Sequence, residues 1–203
     1  MGPRKILKIF GGVVVAIILL YSYLPGKKLS NEESVLKHRD EILDFMKTDE
    51  ESPLPDSVKS SFEGFDYFVP DPSFKVSASL ERISGNSKLN IVTNDGQVRG
   101  YTKYAYAIFD ISGQKYQLLL LRADLTENDE SLFLPFGDLT NGESTYGGGR
   151  YLDLQLTKKN TITIDFNLAY NPYCAYSADY SCPLPPAENR LSVAINAGEK
   201  NFE

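Results

Sequence analysis

The sequence predicts an all-β domain, a mainly antiparallel barrel or sandwich, preceded by an amphipathic helix and an N-terminal transmembrane helix. Short runs that alternate apolar and polar residues recur between positions 62 and 195, separated by Gly, Pro, Asn and Asp, which is the spacing of a barrel or sandwich. Thirteen tyrosines and 11 phenylalanines, with no tryptophan, supply large rings that sit beside glycine, proline and asparagine, as in strands joined by elaborate loops. Behind Arg4, Lys5 and Lys8 comes the apolar run IFGGVVVAIILLYSYL.

That run is slightly short of the ~20 apolar residues of a spanning helix, but Lys8 can snorkel and Tyr21 and Tyr23 suit the far interface. The following YSYLPGKK offers no good small-x-small cleavage site, which favours an uncleaved anchor over a cleaved signal peptide or a buried core helix. Residues 1–28 are thus read as anchor and linker, 29–52 as amphipathic helix and connector, and 53–203 as the β domain. The charge bias places the protein in the cytoplasmic membrane, single-pass, with the C-terminal domain outside the cytoplasm.

Ser30 and Glu33 have capping-box spacing, and Val35, Leu36, Ile42, Leu43 and Met46 form one stripe, so a helix spans about 31–47. Pro53 and Pro55 end its connector. Strands are expected at 62–68, 74–80, 89–92, 104–111, 117–121, 132–136, 151–156, 161–166 and 191–195. Ser112 and Gly113 mark a two-residue hairpin, and the unbroken run Leu118 to Leu121 implies burial on both faces.

A net charge of −6 leaves no basic field for a phosphate backbone, so nucleic acid is excluded as a partner. One histidine, His38, excludes metal sites built from several imidazoles, and the bland reading of His38 is a solvated or half-buried helix residue. No metal and no cofactor is expected.

Polar chemistry concentrates in residues 136–200. If Lys158, Lys159 and Asn160 form a turn, Leu152, Leu154 and Leu156 meet Phe166, Ile164 and Ile162. Asp153 then faces Asp165, and Tyr151 faces Asn167. Paired carboxylates repel, raise one pKa or recruit a cation, and Arg150 is the nearest. Functionally the pair is an acid and base or two ligands of a hard cation; structurally it is a salt-bridge cluster. Gly147, Gly148 and Gly149 make either a tight turn or an anion-binding concavity, and no P-loop or GxGxxG pattern accompanies them.

Cys174 and Cys182 are expected to form a disulfide, which in the chain-entropy model contributes roughly 2.5 kcal/mol. A catalytic thiolate lacks a nearby histidine, and zinc lacks two further ligands. Pro172, Pro183, Pro185 and Pro186 stiffen this loop into a cap, which Glu188, Asn189 and Arg190 can fasten.

The runs PFGDLTNGESTYGGGRYLDL, DFNLAYNPYCAY, SCPLPPAENRL and AGEK, with an earlier SPLP, resemble the uncharacterised bacterial and archaeal family known as domain of unknown function 1684. The resemblance spans about residues 35–200 and implies a shared fold; it carries no established activity. Gly137 stands where such sequences often have a basic residue and Ser144 where they often have an acidic one, which puts roles for those charges in doubt.

Three function classes remain. The first is a binding module whose barrel mouth takes a small polar molecule or glycan, contacted by Tyr146, Arg150, Asn167, Tyr170, Asn171, Tyr176 and Asn189. A hydrolase would draw on Asp153, Asp165 or Glu188, and a structural envelope protein would need none of them.

Overall fold

The structure, a computed structural model, describes residues 30–123 and 131–202. The expected membrane anchor lies outside the described residues. Among the described residues no helix is long and apolar enough to cross a membrane.

Helix α1 (Asn31–Thr48) starts where the capping box expects it. Glu33 N–H donates to Ser30 Oγ at 3.1 Å, and Ser30 N–H donates to Glu33 Oε2 at 2.7 Å. Two donors that the first turn leaves without intrahelical partners are thereby satisfied. Val35 and Met46 are buried as the stripe requires, whereas Leu36 is 45% exposed. A single turn, α2 (Asp56–Lys59), follows.

Seven antiparallel strands then form one sheet: β1 (Lys75–Arg82), β2 (Lys88–Val92), β3 (Val98–Ile111), β4 (Gln114–Ala123), β5 (Ser131–Phe136), β6 (Arg150–Gln155) and β7 (Thr161–Asp165). Their order is β6-β5-β4-β3-β1-β7, and β2 pairs with the first half of the long β3. The fold is therefore mainly antiparallel β, as expected. The β3–β4 hairpin turns on Ser112 and Gly113, with φ of 52° and 80°, the left-handed pair that matches the twist of the flanking strands.

The expected hairpin between β6 and β7 does not form. β6 pairs with β5, which sets Asp153 opposite Phe133, and β7 pairs with β1, which sets Asp165 opposite Lys75. The apolar alternation that suggested the pairing is degenerate: Leu152 and Leu154 fit Leu134 and Leu132 as well as they fit β7. β6 and β7 lie at the two ends of the strand order, yet only residues 156–160 join them. Six peptide steps reach at most ~21 Å, and five flat strand spacings need ~24 Å, so the sheet must curl. Tyr151 and Tyr170 exchange backbone hydrogen bonds at 2.9 and 3.1 Å, carrying that curl toward closure.

Two other expected strands are absent as ladders. Residues 62–68 contribute one isolated bridge, Tyr67 to Glu199, and residues 191–195 bond to the 137–139 loop instead. The curled interior holds Ala78, Ala107, Leu118, Leu120, Leu134, Leu152, Ile164 and Phe166. On the outer face Leu119 and Leu121 pack with Ile91, Tyr101 and Phe133. Burial of Leu118–Leu121 on both faces is what their unbroken run predicts.

Candidate functional site

A cleft of about 780 Å³ lies between α1, the outer face of β3, β5 and β6, and the loop that carries the cysteines. It exists because α1 packs Met46 and Ile42 onto an aromatic layer of Phe62, Phe65, Tyr173, Tyr176 and Phe202 rather than flat on the sheet. Tyr101, Phe133, Tyr151 and Tyr170 run along its sheet wall in continuous ring contact. Tyr101 stacks on Phe133 at 5.5 Å, Phe133 meets Tyr151 edge-on at 4.8 Å, and Tyr151 meets Tyr170 at 5.9 Å. Tyr173, Tyr176 and Tyr180 form the opposite wall. Polar groups reach it from Asp153, Asp179, Glu199, Arg99, Ser181 and His38, the last half-buried on α1.

Several tyrosine hydroxyls are already committed. Tyr170 donates to Asp153 Oδ2 at 2.6 Å, and Tyr151 donates to the Pro183 carbonyl at 2.6 Å. Burial, and for Tyr170 the neighbouring Asp153 charge, push both phenols far up. These rings therefore offer faces and edges, held in fixed orientations.

Glu199 is the carboxyl that the sequence reading missed. It is 1% exposed and sits in the cleft wall, where burial pushes its pKa up to about 7 against the opposing hydrogen bonds. Tyr176 Oη and Asn171 Nδ2 donate to its Oε1 at 2.7 Å each, and Asn171 N–H donates to Oε2 at 3.1 Å. The signal available was the closing AGEK run. Nothing in spacing marks that glutamate, because its partners come from residues 171 and 176. Arg99, Tyr101, Tyr151, Tyr173 and Tyr180 were missed for the same reason.

Of the expected ligand contacts, the cleft holds Tyr170 and Tyr176, with Asn171 immediately behind Glu199. Of the expected acids it holds Asp153 alone. Asp165 pairs with Lys75 at 3.1 Å and closes a turn by accepting from Asn167 N–H and Nδ2. Glu188 accepts from Lys103 at 3.0 Å and Tyr106 at 2.7 Å; burial pushes its carboxyl up, but those two partners outweigh it and the net direction is down.

Arg150 does not face the cleft. Its guanidinium is wholly shielded, bonded to Asp138 Oδ2 at 2.9 Å and to the carbonyls of Ile195, Ala197 and Glu199. Burial pushes its pKa down, and the Asp138 charge opposes that push. The expected Arg150–Asp153–Asp165 cluster is thereby replaced by an Arg150–Asp138 pair that pins the segment bearing Glu199. Asn167 is likewise structural, clamping both backbone groups of Asp71 at 2.8 Å. Asn189 bonds Leu119 N–H and C=O and the Pro135 carbonyl, filling the split between β4 and β5 where only Leu121 and Phe133 remain paired.

The glycine run is a close turn. Gly149 has φ of 88°, its N–H bonds Tyr146 C=O at 3.1 Å, and a Cβ there would lie 2.5 Å from Pro185 and 2.7 Å from Phe136 O. Tyr146 points instead at Cys174, with Oη and Sγ 3.8 Å apart. Cys174 and Cys182 are free thiols rather than the expected disulfide, although they lie side by side, with Cys174 N–H donating to Cys182 Sγ at 3.1 Å. Among the described residues no cluster of three or more His, Cys, Asp or Glu is arranged to hold a metal ion.

Comparison with known proteins gives a family and a relative of known structure. The family model described as Protein of unknown function (DUF1684) matches residues 60–200. An uncharacterized protein of Haloarcula marismortui, solved by solution NMR, is 38% identical; the match covers 82% of this chain and 92% of that one, with a TM-score of 0.66. No curated protein matches the chain.

Proposed function

The chain belongs to the DUF1684 family, whose description carries no activity, and we propose on the geometry alone that it is a binding protein for a small polar or saccharide ligand. The ligand sits in the tyrosine-walled cleft, and the β domain works outside the cytoplasm, tethered by the apolar N-terminal run. The observation that carries this reading is the cleft itself: about 780 Å³, with fixed aromatic faces on two sides and Asp153, Asp179, Glu199 and Arg99 converging on it. Aromatic faces stack on the apolar faces of sugar rings, while carboxylates accept from ring hydroxyls.

The test is a chemical-shift titration of tyrosine-labelled protein with methyl glycosides and disaccharides. Shifts confined to the cleft tyrosines, and weakened in Tyr180→Ala, support the reading. Absence of any shift at millimolar sugar overturns the saccharide class.

One observation favours a second reading, hydrolysis. Glu199, with a pKa of about 7, is poised to give or take a proton near neutral pH, and Asp153 shares its cleft. Nitrophenyl glycosides would release nitrophenol with the wild type and not with Glu199→Gln.

A further inference from the structure

The two cysteines of the loop are held differently. Cys182 is held by Asn94 through two hydrogen bonds: its N–H donates to the Asn94 side-chain Oδ1 at 2.6 Å, and its carbonyl accepts Asn94 N–H at 2.9 Å. Leu184 N–H bonds the Val92 carbonyl at 2.9 Å, and Ser181 Oγ donates to Asp95 at 2.7 Å. The loop's second half is thus laced to the β2–β3 turn, and Cys182, 6% exposed, is held still. Cys174 sits on a single 3-10 turn (Tyr173–Ala175), half-buried, with Tyr146 Oη against its sulfur. The backbone N–H of Cys174 donates to Cys182 Sγ at 3.1 Å, which sets the two thiols side by side.

We propose that Cys174 and Cys182 are a reversible two-electron thiol–disulfide couple whose oxidant is a low-molecular-weight disulfide, Cys174 attacking and Cys182 resolving. Exposure assigns the roles, because Cys174 is the less buried of the two thiols and Cys182 is only 6% exposed. Hydrogen bonding agrees: the Cys182 thiol and Tyr146 hydroxyl favour the Cys174 thiolate, whose pKa falls to about 7, near the optimum for an attacking thiol at neutral pH.

In the first step Cys174 S⁻ attacks one sulfur of RSSR. The Cys174–SR bond forms, the S–S bond of the oxidant breaks, and RS⁻ leaves. Cys182 then loses its proton to solvent, and its thiolate is met by the Cys174 N–H already 3.1 Å from the sulfur. It attacks Cys174 Sγ and expels the second RS⁻. Two electrons pass from the protein to the oxidant, and the two protons end on two RSH. Reduction by RSH runs the same steps backwards.

The couple is independent of the ligand proposal, although Cys182, Tyr173 and Tyr180 all line the cleft. The test equilibrates the full chain across ratios of oxidised to reduced glutathione, quenches in acid, alkylates and weighs the intact protein. Both alkyl adducts should be lost together in one reversible transition. Cys182→Ala should accumulate one glutathione on residue 174, and Cys174→Ala should accumulate little. Both thiols alkylating at every ratio, with no glutathione trapped in Cys182→Ala, overturns the proposal. So does a bond that survives the most reducing ratio, which would make it a permanent brace. Should Cys182→Ala fail to fold, trapping at Cys174 is read in the wild type by peptide mapping early in oxidation; capture at Cys182 instead reverses the roles and overturns the assignment.

Discussion

Arg150 and Asp138 form an ion pair, 2.9 Å from nitrogen to oxygen, in which neither side chain touches solvent. The pair joins three separate parts of the chain. Asp138 Oδ1 also accepts from Thr140 N–H at 2.8 Å and Ile195 N–H at 3.1 Å, while Arg150 holds three carbonyls between residues 195 and 199. Register explains the meeting: Phe136 pairs with Arg150, so Asp138 lies just past the end of that ladder on the same chain.

Breaking this pair is expected to unfold the protein more readily rather than to weaken ligand contacts directly. Asp138→Ala leaves a buried guanidinium without its counter-charge and should cost about 3 to 5 kcal/mol, and Arg150→Ala should cost a similar amount. Urea unfolding monitored by tyrosine fluorescence checks it. A loss under about 1 kcal/mol would show that the pair is not structural.

Glu199 sets a pH dependence with a definite sign. Its folded pKa is raised to about 7 from an ordinary 4.5, so between those values the folded state holds a proton that the unfolded chain has released. Stability is expected to fall as pH rises from about 4.5 to 7 and to level off above that, by about 3 kcal/mol in all. Glu199→Gln, neutral throughout, should flatten this slope and gain relative to wild type at pH 8. Unfolding curves at pH 5, 6, 7 and 8 decide it, and a slope unchanged in the variant would assign it elsewhere.

Asp153 and Asp165 should behave as strangers. One, on β6, is hydrogen-bonded to Tyr170 at the cleft, and the other, on β7 at the far end of the strand order, is paired with Lys75. The double mutant Asp153→Asn/Asp165→Asn is expected to equal the sum of the single effects within about 0.5 kcal/mol. Asp153→Asn alone should weaken ligand binding. A coupling above 1 kcal/mol would restore the paired-acid arrangement.

Topology is testable in intact cells. A cysteine introduced after Lys28, in a background carrying Cys174→Ala and Cys182→Ala, should react with an impermeant thiol reagent, the outer membrane first permeabilised where there is one. Labelling only after lysis would place the domain in the cytoplasm and end the anchored reading.

Local interactions were legible in the residues themselves. The capping box at Ser30 and Glu33, the Ser112–Gly113 turn and the two-sided burial of Leu118–Leu121 are determined by short-range chemistry, so each was readable and each is present. Of the site residues expected from the loop-rich half of the chain, Asp153, Tyr170 and Tyr176 line the cleft. Tertiary structure alone decided the partners. Strand alternation has a period of two, so every half-buried strand offers the same apolar face, and only closure of the whole sheet sends β6 to β5 and β7 to β1. The same holds for charges: Arg150 finds Asp138 through that ladder, and Glu199 finds Tyr176 through the folding back of the C-terminal segment. The stripe on α1 likewise says that the helix buries a face but not against what. Its docking on the aromatic layer around Tyr176, off the sheet, is what opens the cleft, because apolar burial is non-directional and is satisfied by whichever surface the rest of the fold leaves uncovered.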